Sequence, residues 1–111
     1  METLDDLRIK IDDIDNAIIA KLAERFKITN QVGEYKATNA LPAKDPTREA
    51  KQYQRITELA LQHDLDPEFA KAFLAVVIAR LIQHHEEIAN LYVLTHYLLV
   101  LYLCGIRTQS H

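Results

Sequence analysis

At 111 residues, with 49% hydrophobic and 26% charged side chains, the chain is long enough for one folded domain and too balanced for a disordered or fibrous one. Its 13 lysines and arginines stand against 16 aspartates and glutamates, a net charge of -3 that excludes an overall basic footprint for nucleic acid or an anionic membrane. A single cysteine, Cys104, excludes an internal disulfide framework and suits a reducing compartment.

The N-terminal METLDDLRIKIDDID is charged from its second residue and has no apolar core of a secretory signal, so a cytoplasmic location is expected. Proline is absent from the first forty-one residues, where good helix formers dominate. At 100° per residue, Leu4, Leu7, Ile11, Ile14, Ile18, Leu22 and Val32 fall within roughly 80° of one another, while Asp5, Asp12, Asp13, Glu24 and Glu34 fall elsewhere. The pattern predicts one amphipathic helix over about residues 3 to 38. Such a helix is roughly 50 Å long. A compact domain of this size has a radius of gyration near 13 Å, so the rod projects beyond it with its apolar stripe uncovered. A second copy of the chain is the simplest cover. We therefore expect an intertwined helical homodimer.

A short loop, NALPAK, follows. Asp45 before Pro46 makes an N-cap and first-turn pair, with Glu49 near the positive end of a second helix that should reach about His63. Asp66 before Pro67 repeats the signal and opens a third helix. No strand alternation, repeat or low-complexity tract interrupts this pattern, so the expected fold is all-α with three helices. Every acid, and every base except Arg107, lies in residues 1–90. Residues 91–111, LYVLTHYLLVLYLCGIRTQSH, are therefore read as an apolar C-terminal extension of a helical domain spanning 1–90. The run from Leu91 to Ile106 is shorter than the roughly 20 residues that span a bilayer and contains Thr95 and His96, so no membrane span is expected.

Cations sit on the apolar stripe of the first helix. Arg25 and Lys36 lie on its middle line, three turns and roughly 16 Å apart, with Arg8 on the flank beside Asp15. Long cationic side chains can lay their stems on apolar surface and keep their heads in water. Two unpaired cations directed inward would cost several kcal/mol, by contrast, unless a negative partner joins them. No acid shares the central stripe near either. An anionic ligand held between helices would satisfy both, and Gly33, unfavourable in a helix interior, permits close approach beside them. Arg48, in the first turn of the second helix, opposes the helix dipole and again points to an anion. Asp45 and Glu49 flank it, Asp45 also as the cap.

This ordered set resembles the all-helical class of chorismate mutases: Arg8 in LDDLRIKIDDID, Arg25 in LAERFKI, Lys36 in VGEYKA, and Asp45-Pro-Thr-Arg48-Glu49 after a short loop, over roughly residues 3 to 88. The resemblance implies a dimer of three-helix chains in which each site borrows Arg8 from the partner's first helix. It implies that the carboxylates of chorismate meet Arg8, Arg25 and Arg48, and that Lys36 meets the ether oxygen of the breaking C–O bond. Asp45 and Glu49 would stand at the ring hydroxyl. The implied reaction, chorismate to prephenate in aromatic amino-acid biosynthesis, is an intramolecular isomerisation that requires no nucleophile, metal or redox cofactor. Orientation of a dianion and stabilisation of charge growing on the ether oxygen are what it requires.

Family members usually carry Ser and Gln one turn apart on the third helix, the Gln giving a second hydrogen bond to the ether oxygen. Gapless spacing from LDPEF puts Leu81 and His85 there, whereas the apolar face points closer to His84, with Gln83 adjacent; the QHH triplet contains the expected donor, and His85 is the choice on spacing. A histidine donor makes the rate depend on pH near neutrality. Adjacent histidines also raise zinc, but they point 100° apart and no further ligand lies at the right spacing. Two rival readings remain: an isochorismate-pyruvate lyase on the same fold, whose loop before the second-helix arginine tends to be shorter than the span from Lys36 to Arg48 here, and a non-catalytic helical dimerisation module.

Overall fold

The computed structural model describes residues 1–105, and its elements are three α-helices: α1 (Leu4–Thr38), α2 (Pro46–Gln62) and α3 (Pro67–Leu103). Each begins where its side chains satisfy the otherwise unpaired N–H groups of a first turn. The Thr3 hydroxyl accepts from the Asp6 N–H at 3.1 Å while the Asp6 carboxylate accepts from the Thr3 N–H at 3.0 Å, a reciprocal capping box. Those hydrogen bonds favour the ionised carboxylate and lower the Asp6 pKa. Asp45 Oδ1 accepts from the Arg48 N–H at 3.1 Å and Asp66 Oδ1 from the Glu68 N–H at 2.9 Å, each ahead of a proline in the first turn.

The first two helices end alike. The Leu41 N–H reaches back to the Lys36 carbonyl and the Leu65 N–H to the Ala60 carbonyl, both at 2.8 Å. Each closure turns on a left-handed residue, Ala40 or Asp64, both at φ 54°. Glycine usually occupies that position.

Three contacts set the register of α1 on α3: Phe26 meets His84, Thr29 meets His85, and Gly33 lies against His85 and Ile88. Residue numbers rise together along both helices, so α1 and α3 run in the same direction. α2 packs on α3 as well, but not on α1. The space between α1 and α2 is therefore open above α3. The buried apolar core is small, made of Ala60, Ala70, Leu74, Val77 and Ile78, with Gly33 and His85 buried beside it.

At one end α1 runs out alone, and at the other α3 continues past the end of α1 through the apolar stretch after Asn90. The molecule measures 75 × 34 × 18 Å with a radius of gyration of 21.0 Å, against about 13 Å for a compact chain of similar length. Leu4, Leu7, Ile11, Ile14 and Ile18 are each more than two-fifths exposed. The apolar extension read from residue 91 onward belongs to α3 as far as Leu103, and residues 106–111 lie outside the described residues. Among the described residues no helix is long and apolar enough to cross a membrane.

Candidate active site

The open space between α1 and α2 is a cavity of about 300 Å³ floored by α3. From α1 come Arg25, Ile28, Thr29, Val32 and Lys36; from the loop and α2 come Ala43, Asp45, Arg48, Glu49 and Gln52; from α3 come Leu81, Ile82 and His85. Residues singled out by the helical pattern and by the family resemblance, Arg25, Lys36, Asp45, Arg48, Glu49 and His85, line one hollow. Arg8 does not. It lies in the projecting part of α1, its side chain 65% exposed and 3.8 Å from Asp5.

The cations in this hollow carry no acid. The ion pairs among the described residues are Arg8–Asp5, Lys10–Glu2, Lys21–Glu24 and Lys71–Glu68, none of them in the cavity. Arg25 is half-buried, and its Nη1 is enclosed with no hydrogen-bond partner. Lys36 donates from Nζ to the Ala43 carbonyl at 3.1 Å, a neutral acceptor on the α1–α2 loop. Asp45 is engaged by its cap. Three cations face two carboxylates across a half-enclosed apolar wall, so the site has spare positive charge and unfilled donors. In such surroundings an ion pair is stronger than in water and an unfilled donor is costly, so an anion that fills the donors is favoured twice.

His85 is 2% exposed, and its Nε2 lies 2.7 Å from the Thr29 carbonyl. A carbonyl can only accept, so in the neutral ring the hydrogen is on Nε2, and Nδ1 is left as a buried lone pair without a partner. Burial lowers the pKa of this ring from the ordinary 6.5; the Thr29 carbonyl opposes that, the Lys36 and His84 charges add to it, and the Ala43 carbonyl opposes it. Gly33 makes room for the ring. A Cβ there would stand 2.6 Å from His85 Cδ2, too close for either group to remain in place.

The geometry separates the three neighbours in the QHH triplet. Gln83 is exposed, accepting from Arg80 and donating to Glu87. His84 packs edge-on against Phe26 with ring centroids 5.6 Å apart. His85 alone of the three lines the cavity. Among the lining residues that escaped the sequence reading are Thr29, whose carbonyl meets His85, Gln52 and Ala43. Gln52 sits one turn beyond Arg48 on α2, and its i,i+4 spacing from that arginine was a usable signal. The Ala43 carbonyl had none, because backbone acceptors have no signature in a sequence.

A family model described as chorismate mutase type II matches residues 7–86. The chain belongs to the chorismate mutase type II family. Among its relatives is the chorismate mutase of Methanocaldococcus jannaschii, 34% identical over 83% of this chain and 89% of that one. A 4-amino-4-deoxychorismate mutase of Streptomyces pristinaespiralis is 28% identical over 78% of this chain and 67% of its own length. The bifunctional chorismate mutase/prephenate dehydratase of Aquifex aeolicus is 41% identical over 53% of this chain, a match that takes in 16% of that larger protein. The family match spans every cavity-lining residue named above, and also Arg8.

Proposed function

We propose that the chain is an isomerase that converts chorismate to prephenate. The observation that carries this reading is the gathering of Arg25, Lys36 and Arg48, from two helices and without acid partners, around one cavity of about 300 Å³. That volume is at the low end for small-ligand sites, and it suits a single-ring dianion. The reaction is a rearrangement within one molecule: a carbon–oxygen bond breaks as a carbon–carbon bond forms. Its barrier falls when the side chain of the substrate is held folded over the ring, and arginine–carboxylate pairs at Arg25 and Arg48 fix that shape. Lys36 gives its N–H to the ether oxygen as negative charge grows there. Asp45 and Glu49 stand at the ring hydroxyl. Ile28, Val32, Leu81 and Ile82 keep the cavity apolar, which strengthens each of these contacts.

The working unit in this proposal is a two-fold dimer. Its support is the uncovered stripe from Leu4 to Ile18 together with Arg8, a cation stranded far from the cavity of its own chain. An antiparallel partner laid along α1 covers the stripe and delivers Arg8 of one subunit to the carboxylate side of the other's cavity. In this scheme residues 1–90 form the catalytic domain and the apolar end of α3 is an appendage. The lone, exposed Cys104 suits a reducing compartment, and we place the protein in the cytoplasm.

The test is the loss of chorismate absorbance with the product identified by chromatography. Prephenate is expected. Pyruvate and salicylate formed from isochorismate would replace this reading with a lyase, and no turnover of either substrate would leave a helical dimer module.

A further inference from the structure

The ring of His85 and the Ala43 carbonyl that holds the ammonium of Lys36 line the same cavity. Lys36 Nζ donates to the Ala43 carbonyl at 3.1 Å, and that same carbonyl is the group, besides Thr29, that favours a proton on His85. The neutral ring offers it nothing, because its one hydrogen is spent on Thr29 and Nδ1 is bare. In the free protein the Ala43 carbonyl therefore depends on Lys36. A ligand that recruits Lys36 removes the carbonyl's donor and leaves a polar group unpaired in the wall of the cavity that the His85 ring also lines.

We propose that His85 takes up a proton when a dianion enters the cavity, and that its imidazolium then holds the Ala43 carbonyl in place of Lys36, freeing Lys36 for the ligand. This rests on the reading of the cavity as a dianion site. The proton comes from solvent and forms the Nδ1–H bond; no other bond is made or broken. One positive charge accompanies two negative charges into the site.

The surrounding charges drive the change. Facing the ring and cavity are Arg25 and Lys36 from α1, Asp45, Arg48 and Glu49 from the start of α2, and His84 beside it on α3. Without a ligand the cations outnumber the carboxylates and repel a proton from His85. Two ligand carboxylates reverse that balance, and burial of the ring makes it more sensitive to the reversal. The imidazolium then joins three elements, with Nε2–H on Thr29 of α1 and Nδ1–H on Ala43 of the loop, both from α3. His85 is thus a positioning residue: it holds the loop that leads to Asp45 and Arg48 while Lys36 works on the ligand. An amide at this position could donate at any pH, so the coupling to pH is a property of the histidine.

The inference is tested by nitrogen-15 NMR of histidine-labelled full-length protein, with and without a bicyclic ether dicarboxylate shaped as the transition state of the rearrangement. The His85 signals are assigned by their absence in His85→Gln. At pH 7 the free ring should be neutral with hydrogen on Nε2, and the bound ring should be an imidazolium with hydrogen on both nitrogens. Calorimetry in buffers of different ionisation enthalpy should show proton uptake on binding, approaching one per site, and His85→Gln should bind with none. Between the free and bound midpoints, affinity should fall up to tenfold per unit rise in pH. A ring already charged in the free protein, a ring still neutral in the complex, or the same uptake in His85→Gln overturns the proposal. Lys36→Met, measured without ligand, separates this inference from the mutase reading. Its vacated carbonyl should raise the His85 midpoint and bring an Nδ1 hydrogen into a hydrogen bond. Failure of that change overturns the exchange even in a protein that makes prephenate. Absence of dicarboxylate binding overturns the mutase reading, and the proton coupling with it.

Discussion

Lys36, Gly33 and His85 each combine an unfavourable local choice with a function at the cavity. Lys36 occupies a stripe position where leucine would pack better, and it is held by a neutral carbonyl. Lys36→Met should cut kcat/KM by about 10²–10³-fold or more, the usual loss when a fixed donor to a developing oxyanion is removed, with an unchanged far-ultraviolet circular dichroism spectrum. Gly33 is similar. Alanine there gains about 1 kcal/mol of intrinsic helix propensity but places a methyl group 2.6 Å from the His85 ring. Gly33→Ala should be destabilising by about 1–3 kcal/mol, read from the urea midpoint, because the ring must move off Thr29.

The lowered pKa of His85 has a consequence for the free protein. The unfolded ring binds a proton more readily than the folded one, so stability rises with pH across the interval between the two midpoints. His85 thus imposes no penalty well above pH 6.5, and its penalty grows as pH falls from about that value to the folded-state midpoint, below which it is constant. Thermal melts of the free protein should show a drop in Tm on acidification below about pH 6.5, and His85→Gln should reduce the drop. Catalysis runs the other way, since kcat/KM should decline as pH rises through neutrality if binding takes up a proton. A kcat/KM flat between pH 5.5 and 8 would count against that link.

At the scale of elements, the helix starts were legible because each carries its own chemistry: Thr3 with Asp6, Asp45 with Pro46, Asp66 with Pro67. The predicted start of α1 near residue 3 and its end at 38 match the observed Leu4–Thr38. The helix ends were harder to read. Ala40 and Asp64 adopt a left-handed backbone that their sequence does not announce. Ala40→Gly should stabilise the protein by about 1 kcal/mol, read from the urea midpoint, by relieving that conformation at the C-terminus of α1. The register of α1 on α3 was not legible either. It depends on the fit of His85 into the space above Gly33, a contact between residues far apart in the chain. For the same reason the choice among Gln83, His84 and His85 stayed open: one helix rotated by a few tens of degrees exchanges one for another, and only the partner helix fixes the rotation.

At the scale of the molecule, an elongated single chain with a small core is hard to account for alone. Among the described residues the core holds five buried apolar residues, while the stripe of α1 lies uncovered. The proposed dimer makes a specific prediction about Arg8. Arg8→Ala and Arg48→Ala should each be inactive as homodimers. Mixed and reassembled in equal amounts, half the dimers are hybrids in which one site carries both lesions and the other neither, so activity should return to about a quarter of the wild-type value. No recovery in reassembled mixtures would place Arg8 outside the neighbouring subunit's site.

Charge on an apolar helix face is the central claim, and a double substitution tests it most directly. Chorismate turnover and the urea midpoint should be measured for the wild-type protein and for Arg25→Leu/Lys36→Leu. Two cations kept for a ligand, and not for the fold, predict a double variant about 1–4 kcal/mol more stable than the wild type that forms no prephenate. A double variant that still converts chorismate, or one that loses stability along with activity, would contradict the account.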